Sequence, residues 1–469
     1  MRHVGIATLP MTTKHDIVGL NTDMPHISNY MLKMNYMKVS KFTIPFVRNN
    51  EYFLYNTQSL SLIRIDKPCY NIIENSISNP NCLDNLDSDA HALLLTKGMI
   101  DDNNDTHSKD FCIKMKYIKR LKSFGNRTLS LVIAPTLACN FACPYCYEAN
   151  LPLSIMGGEV EDKIIDFINS FSKRCSSLEI CWEGGEPLLG IARIKSLLNK
   201  IKTKSLLPLT YHSIITNGYL FSEEIAHYFS NANLNFVQIT IDGQEDTHNK
   251  SRILKDGGNS YKRIISNIDM ITQIIPKCLV VVRTNIHEGN KNEFGAIYKY
   301  FSKKWENDNV KLFPAFVMPN ANCKVSCCTP QNKTDFFLSL KRNEGIDNIN
   351  FVPRHCVGSC SATSENSYVI APDGHLYKCW NDIGVVERSV GDVFAGITNN
   401  TLVARYMVGS DKYSDSKCLE CPLFPICDGG CNRHRMDNTI QSTKYPLCPF
   451  TKDGVADYLY EHYKSCKDE

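Results

Sequence analysis

The chain has 469 residues, 43% apolar and 22% charged, with a net charge of +3 and 21 cysteines. That length supplies cores for two or three domains, and so small a charge excludes an electrostatic footprint for nucleic acid or an acidic membrane. No apolar run reaches the ~18 residues of a membrane span, and cysteines in so long a chain suit thiolate chemistry in a reducing cytoplasm better than a small secreted disulfide framework.

Residues 1–38 carry methionines at 11, 24, 31, 34 and 37, show weak periodicity, and lack the long apolar core and cleavage site of a signal peptide. They read as a weakly structured segment or an over-extended start. Residues 39–125 read as a small α+β domain with its linker. KFTIPFVRNNEYFLYNTQSLSLIRID gives two or three short strands turning near Asn49–Asn50. CYNIIENS and DSDAHALLLTKGMI give helices, the second starting near Ser88 with Asp89 in its first turn. The basic stretch KMKYIKRLKSFGNR reads as a solvated linker helix.

Within LSLVIAPTLACNFACPYCYE an apolar, β-branched run gives way to a loop bearing Cys139, Cys143 and Cys146. Three thiolates hold three corners of a 4Fe-4S cluster and leave one iron free for an exchangeable ligand. A zinc knuckle would be one ligand short, since no histidine lies within the motif. The spacing Cys-x3-Cys-x2-Cys, with aromatic Tyr145 before the third cysteine, resembles the radical S-adenosylmethionine (SAM) enzymes. The resemblance implies that the free iron chelates S-adenosyl-L-methionine and that reduction releases a 5′-deoxyadenosyl radical, which abstracts a substrate hydrogen.

From Leu129 to about Phe316 strands and helices alternate: LSLVIAPT, SLEICWEGG, YHSIITNG, FVQITIDG, CLVVVRTNI and VKLFPAFVM are separated by helical segments. Such alternation predicts an α/β fold with a parallel sheet, and six strands match the partial (β/α)6 TIM-type barrel that the resemblance implies for residues 126–318. Ligands of such barrels collect at the carboxyl ends of the strands. Gly184, Gly185 and Glu186 of the GGEP sequence after the second strand resemble the family's contact with the methionyl ammonium, the alternative being a plain turn. Thr216-Asn217-Gly218 resembles the segment near the SAM ribose, which carries Asn217 as a cofactor residue; a strand-ending turn is the alternative. Thr240 and Arg252 resemble a hydroxyl and an arginine near the cofactor carboxylate. His248 reads as a capping or surface histidine, and Arg283 as substrate-facing or structural.

Residues 319–355 form a bridge in which Cys323, Cys327 and Cys328 either stay uncommitted, touch substrate or ligate an auxiliary iron. Residues 356–469 hold the densest pattern: Cys356 and Cys360, then Gly374 and Cys379, then Cys418-x2-Cys421-x5-Cys427-x3-Cys431, then Cys448. Paired zinc ribbons would use the same ligands. The pattern resembles the SPASM extension of radical enzymes that modify peptides and proteins. By that resemblance Cys356, Cys360, Cys379 and Cys431 hold one auxiliary cluster, and Cys418, Cys421, Cys427 and Cys448 a second, giving three 4Fe-4S clusters in all. Cys69, Cys82, Cys112, Cys175, Cys278 and Cys466 read as core or surface thiols.

Full ligation of both auxiliary clusters favours electron relay, with a partner such as flavodoxin or ferredoxin. Relatives that make formylglycine in sulfatases carry Asp directly after the cysteine equivalent to Cys379. Here Trp380-Asn381 follow and Asp382 is displaced, leaving Asp382 as a displaced candidate proton acceptor. The expectation is therefore an oxidoreductase that installs a thioether, C–C or C–O crosslink in a ribosomally made precursor peptide, whose leader the N-terminal domain either binds by strand addition or leaves alone while capping the barrel. The alternatives are a sulfatase-maturating enzyme and a noncatalytic iron-sulfur electron carrier.

Overall fold

The computed structural model describes residues 37–102, 104–306, 308–346, 353–358 and 360–467. Most of the segment read as weakly structured, residues 1–36, lies outside the described residues. Its last two residues do not fit that expectation, because β1 (Met37–Val39) is a strand that pairs antiparallel with a segment some 60 residues later, β5 (Ile100–Asp102).

Between them lies a three-stranded antiparallel sheet of β2 (Thr43–Arg48), β3 (Glu51–Asn56) and β4 (Ser61–Ile65), followed by α1 (Lys67–Ser78) and α2 (Ser88–Thr96). Asn49 and Asn50 both take positive φ, 49° and 60°. Two left-handed residues in a two-residue hairpin make the turn whose twist matches the strands, and asparagine tolerates that conformation best after glycine. Helix α1 is capped by Asp66, whose side chain accepts from the Cys69 amide, and α2 by Asp87, which accepts from the Ala90 amide. One face of the sheet packs Leu54 on Ile73, Leu83, Leu94 and Met99 of the helical side. The other packs Ile44, Phe46, Phe53 and Tyr55 on Leu423, Ile426, Val455 and Leu459 near the C-terminus. The N-terminal module thus docks on the cysteine-rich end of the chain. Thr57 also donates to the Pro422 carbonyl at 2.6 Å.

The stretch read as a solvated linker is α3 (Thr106–Phe124), and it is solvated on one side only: Ser108, Met115, Lys119 and Ser123 are buried. Two of the buried set are serines and one is a lysine, so the inner face does not announce itself as an apolar stripe.

Six parallel strands follow, β6 (Thr128–Ile133), β7 (Ser177–Trp182), β8 (Leu209–Thr216), β9 (Phe236–Thr240), β10 (Leu279–Ile286) and β11 (Val310–Phe316), in sequential order. The intervening helices are α4 (Gly158–Ser170), α5 (Ile191–Lys204), α6 (Glu223–Asn231), α7 (Glu245–Ser251), α8 (Tyr261–Ile274) and α9 (Phe294–Lys304). Their apolar stripes, such as Ile164, Ile165 and Ile168 on α4 and Ile264, Ile268 and Ile271 on α8, close over Leu129, Leu131, Ile180, Ile214, Val237 and Val280 of the strands. This is the six-stranded partial barrel.

Beyond α10 (Pro330–Glu344) the chain returns to the same sheet. Strand β12 (Ser367–Ile370) pairs in parallel with β6, Ser367 opposite Ser130 through Ile370 opposite Ile133. It is followed by β13 (His375–Tyr377), β14 (Gly391–Asp392) and β15 (Gly396–Ile397), so that one ten-stranded sheet runs from β11 to β15. The C-terminal segment, read as a separate domain, is continuous with the barrel sheet. Helices α11 (Asn400–Val408), α12 (Ser416–Leu419), α13 (Asn432–Ile440) and α14 (Lys452–Lys467) complete the chain. Among the described residues no helix is long and apolar enough to cross a membrane.

Candidate active site

The loop after β6 carries Cys139, Cys143 and Cys146, and the ends of the neighbouring strands hold it in place. Ala142 donates its amide to the Ile253 carbonyl at 2.8 Å, and Lys255 donates to the Asn140 carbonyl at 2.9 Å. From β8, Asn217 donates through Nδ2 to Asn140 Oδ1 at 2.7 Å. Tyr145 donates its hydroxyl to Asp242 and receives Arg252 Nη1 at 3.2 Å and Asn285 Nδ2 at 3.3 Å. The loop is therefore tied to the carboxyl ends of β8, β9 and β10.

Gly184 and Gly185 sit where the turn after β7 meets the start of this loop. Gly184 has φ of +126°, and a Cβ there would lie 2.5 Å from the Thr136 carbonyl; one on Gly185 would collide with the carbonyls of Leu137 and Ala138. Only glycine allows that approach. The Glu186 carboxylate is fully buried and accepts from Thr216 Oγ1 (2.7 Å), the Asn217 amide (2.8 Å) and the Leu188 amide (3.0 Å). It holds the β7 and β8 ends together. Thr240 is buried at the end of β9, and Arg252, also buried, lies over the Phe141 ring at 5.2 Å. His248 is fully buried, taking the Asp242 amide on Nδ1 at 3.3 Å and meeting Ser260 Oγ through Nε2 at 3.1 Å. It is a core histidine rather than a surface one, and burial lowers its pKa to about 3. Arg283 donates through Nε to Asn285 at 2.8 Å, which steadies a neighbour of Tyr145.

The three thiols border a cavity of about 200 Å³, together with Phe141, Glu148, Gly185 and Lys255. Burial raises the Cys139 thiol to about 11; burial and then the charge of Glu148 raise Cys146 to about 12. Thiols so held stay protonated until a metal displaces the proton. Three half-buried thiols around one cavity, with Asn140 Nδ2 and Arg252 Nε buried beside them and lacking protein partners, fit a three-cysteine cluster and a polar ligand.

Two carboxylates that sequence reasoning quoted without assigning a role complete the site. Glu148 borders the thiol cavity and also a closed crevice, too tight to admit a water, shared with Glu183, Tyr147, Gly184, Val369, Trp380 and Ile383. Burial raises Glu183 to about 7, and burial reinforced by the charge of Glu183 raises Glu148 to about 8. Tyr147 donates to Glu183 Oε1 at 3.1 Å, while Oε2 is buried with no partner. The signal available beforehand was an acid directly after the second barrel strand, Glu183, and another just past the third cysteine of the first loop, Glu148.

Asp382 is elsewhere. It is fully buried, receiving Tyr406 and Arg433, the latter through Nε at 2.7 Å; the crevice wall is made by its neighbours Trp380 and Ile383. Of the far thiols, Cys360, Cys379 and Cys431 lie near one another. Cys379 is pushed well above an ordinary thiol by burial and then by the charges of Asp382, Cys360 and Cys431. Cys418 lies near Arg435 Nη2 at 3.5 Å, and the Cys427 sulfur accepts the Gly429 amide at 3.3 Å. Lys412 donates to the carbonyls of Cys356, Phe424 and Cys427 at 2.6–2.7 Å and so ties the Cys356 and Cys427 loops together. Cys448 is exposed. Among the described residues no three Cys, His, Asp or Glu side chains close on one point as ligands of a single ion do. In the bridge, Cys323 and Cys327 face each other at 3.9 Å, and Cys328 is buried in a separate cluster with Phe294 and Phe336.

Residues 133–301 match the Radical SAM superfamily model. The chain carries a radical SAM domain. It is 24% identical over 357 residues to the cysteine-type anaerobic sulfatase-maturating enzyme of Clostridium novyi (strain NT), spanning 68% of this chain and 91% of that one. Over 155 residues, 31% of this chain and 37% of the other, it is 30% identical to the serine-type anaerobic sulfatase-maturating enzyme of Bacteroides thetaiotaomicron. Among solved structures, native anSMEcpe with bound AdoMet and Cp18Cys peptide matches with a TM-score of 0.58 and 19% identity over 73% of this chain and 99% of that one. Streptococcus suis SuiB bound to S-adenosylmethionine matches with a TM-score of 0.50 and 16% identity, covering 88% and 99%. These likenesses carry the fold. Residues 133–301 are thus a radical SAM domain, and the chain is similar over about two thirds of its length to sulfatase-maturating enzymes; the cofactors of the superfamily are a 4Fe-4S cluster and S-adenosyl-L-methionine.

Proposed function

We propose that the enzyme oxidises a ribosomally made precursor peptide by two electrons to install a thioether, C–C or C–O crosslink. The cluster held by Cys139, Cys143 and Cys146, with S-adenosyl-L-methionine, supplies the hydrogen-abstracting radical when bound. Gly184 and Gly185 leave backbone exposed to the cofactor. Asn217, Thr240 and Arg252 orient it, while Glu186 and Tyr145 fix the loops around it. The two C-terminal thiol sets, Cys356/Cys360/Cys379/Cys431 and Cys418/Cys421/Cys427/Cys448, would hold auxiliary clusters that take the second electron. The proton lost with that electron needs an acceptor near the thiol cavity, and Glu183, beside Glu148 with one oxygen unpartnered and a pKa near 7, suits the task better than Asp382.

The observation that carries this reading is the wall after Cys379. Trp380 and Ile383 pack against the crevice that holds Glu183, while Asp382 is bonded to Tyr406 and Arg433. Edge strand β4 of the N-terminal sheet offers a peptide leader a row of backbone groups.

The second reading is sulfatase maturation, favoured by the likeness to the Clostridium novyi enzyme over 68% of the chain. The reconstituted enzyme is incubated with Cys-rich precursor peptides encoded near its gene and with a sulfatase-derived Cys peptide. A loss of two hydrogens in a precursor supports the proposal; an aldehyde in the sulfatase peptide, with every precursor unchanged, overturns it. Replacing Glu183→Gln should lower product formation on the order of 10²-fold while SAM cleavage continues.

A further inference from the structure

Helix α3 has two faces of opposite character. Inside, Lys119 Nζ donates to Thr363 Oγ1 at 2.6 Å, and Thr363 in turn donates to the Cys360 carbonyl at 3.0 Å. Met115 packs with Phe42, Tyr413 and Phe424 in a cluster that Cys112, Val357 and Cys418 border. This face lies directly on loops carrying Cys356, Cys360 and Cys418. Outside, Ile113, Tyr117, Leu121 and Phe124 are 66%, 62%, 52% and 46% exposed. Their spacing places them on one stripe, about 16 Å long at the helical rise. Exposed Lys109, Lys114, Lys116 and Lys122 surround the stripe, and Asp110 is the one exposed carboxylate of the helix. None of the four lysines is ion-paired among the described residues.

An apolar centre with a cationic rim selects a partner with an apolar centre and an acidic rim. Its size suits the small, short-lived contacts of electron-transfer pairs. The inner face says what such a partner would reach: thiols of the proposed auxiliary clusters, across one helix thickness of about 10 Å.

We propose that the outer face of α3 docks a small acidic one-electron carrier protein. One electron, left on an auxiliary cluster by the oxidised substrate, passes to the carrier, whose own centre is reduced by one. This rests on the reading that Cys356 to Cys448 hold clusters.

The test uses full-chain holoenzyme whose iron and sulfide have been counted, reduced with dithionite and freed of the excess, then mixed by stopped flow with oxidised plant-type ferredoxin as the acidic carrier. The expected second-order rate falls steeply with salt. It drops about tenfold or more in a Lys114→Glu/Lys116→Glu variant and in an Ile113→Ser/Tyr117→Ser/Leu121→Ser variant, while oxidation by ferricyanide keeps its wild-type rate. Wild-type rates with ferredoxin in both variants overturn the proposal. So does a stripe variant whose chief effect is to dissociate a dimer, to release the protein from anionic phospholipid vesicles, or to abolish cross-links from α3 to residues 1–36. A holoenzyme with only about four irons removes the auxiliary clusters themselves and so fails the earlier reading; about twelve irons with salt-insensitive, variant-insensitive rates fails this inference alone.

Discussion

The two thiol-bearing regions are held by different means. The loop from Cys139 to Cys146 is braced by neutral and acidic side chains reaching in from neighbouring strand ends, Asn217, Asp242 and Asn285, with Arg252 as the one cation. It borders a cavity of about 200 Å³. The C-terminal loops are pinned by buried cations on backbone carbonyls: Lys412 on three, Lys378 on those of Ser364 and Ser367 at 2.6 and 2.7 Å, and Arg435 on that of Gly429 at 2.6 Å. A buried ammonium is costly and is kept where it satisfies several acceptors at once. The first region is built around a space to be filled, the second around fixed loop geometry.

That contrast can be broken at either end. Cys143→Ala should abolish reductive SAM cleavage, a loss of at least about 10³-fold, while leaving roughly eight of twelve irons bound; retention of cleavage would erase the distinction. Lys412→Met strips three carbonyls of their donor and should cost about 4 kcal/mol in denaturant unfolding, with SAM binding to the barrel intact. The barrel has its own weak point in His212, which is buried, receives Trp182 Nε1 on Nε2 at 2.6 Å, and is lowered by burial to about 4 from an ordinary 6.5. Its neutral form is the folded one, so its contribution is complete above pH 6.5 and is lost as pH falls toward 4. The loss is about 3 kcal/mol, measurable as a stability slope between those values that His212→Asn flattens.

Much of this was legible in the sequence because the signals are local. Six strands ending in turn motifs and separated by amphipathic helices give the barrel, and Asn49-Asn50 gives the hairpin. The parts not legible depend on distant pairing. Strand β12 has four residues and joins β6 across more than 230 positions, so neither its length nor its place in the chain announces the pairing. Strands β1 and β5 have three residues each, too short for periodicity to mark. The inner face of α3 hides behind Lys119 and Ser123. At the site, cysteine spacing marks candidate ligands, but it is silent on Glu148 and Glu183, which meet only once β6 and β7 lie side by side. It also ranked Asp382 by its distance from Cys379, whereas Tyr406 and Arg433, 24 and 51 positions away, decide where that carboxylate goes.

The parallel pairing of β12 with β6 bears on how the chain can be divided. Cutting before residue 367 would strip β6 of a neighbour along Ser130–Ile133 and bare a row of unpaired amides and carbonyls in an apolar strand, an invitation to aggregation. The barrel and the C-terminal thiols are therefore one inheritance unit: a gene fragment encoding the first without the second would yield an insoluble product rather than a minimal enzyme.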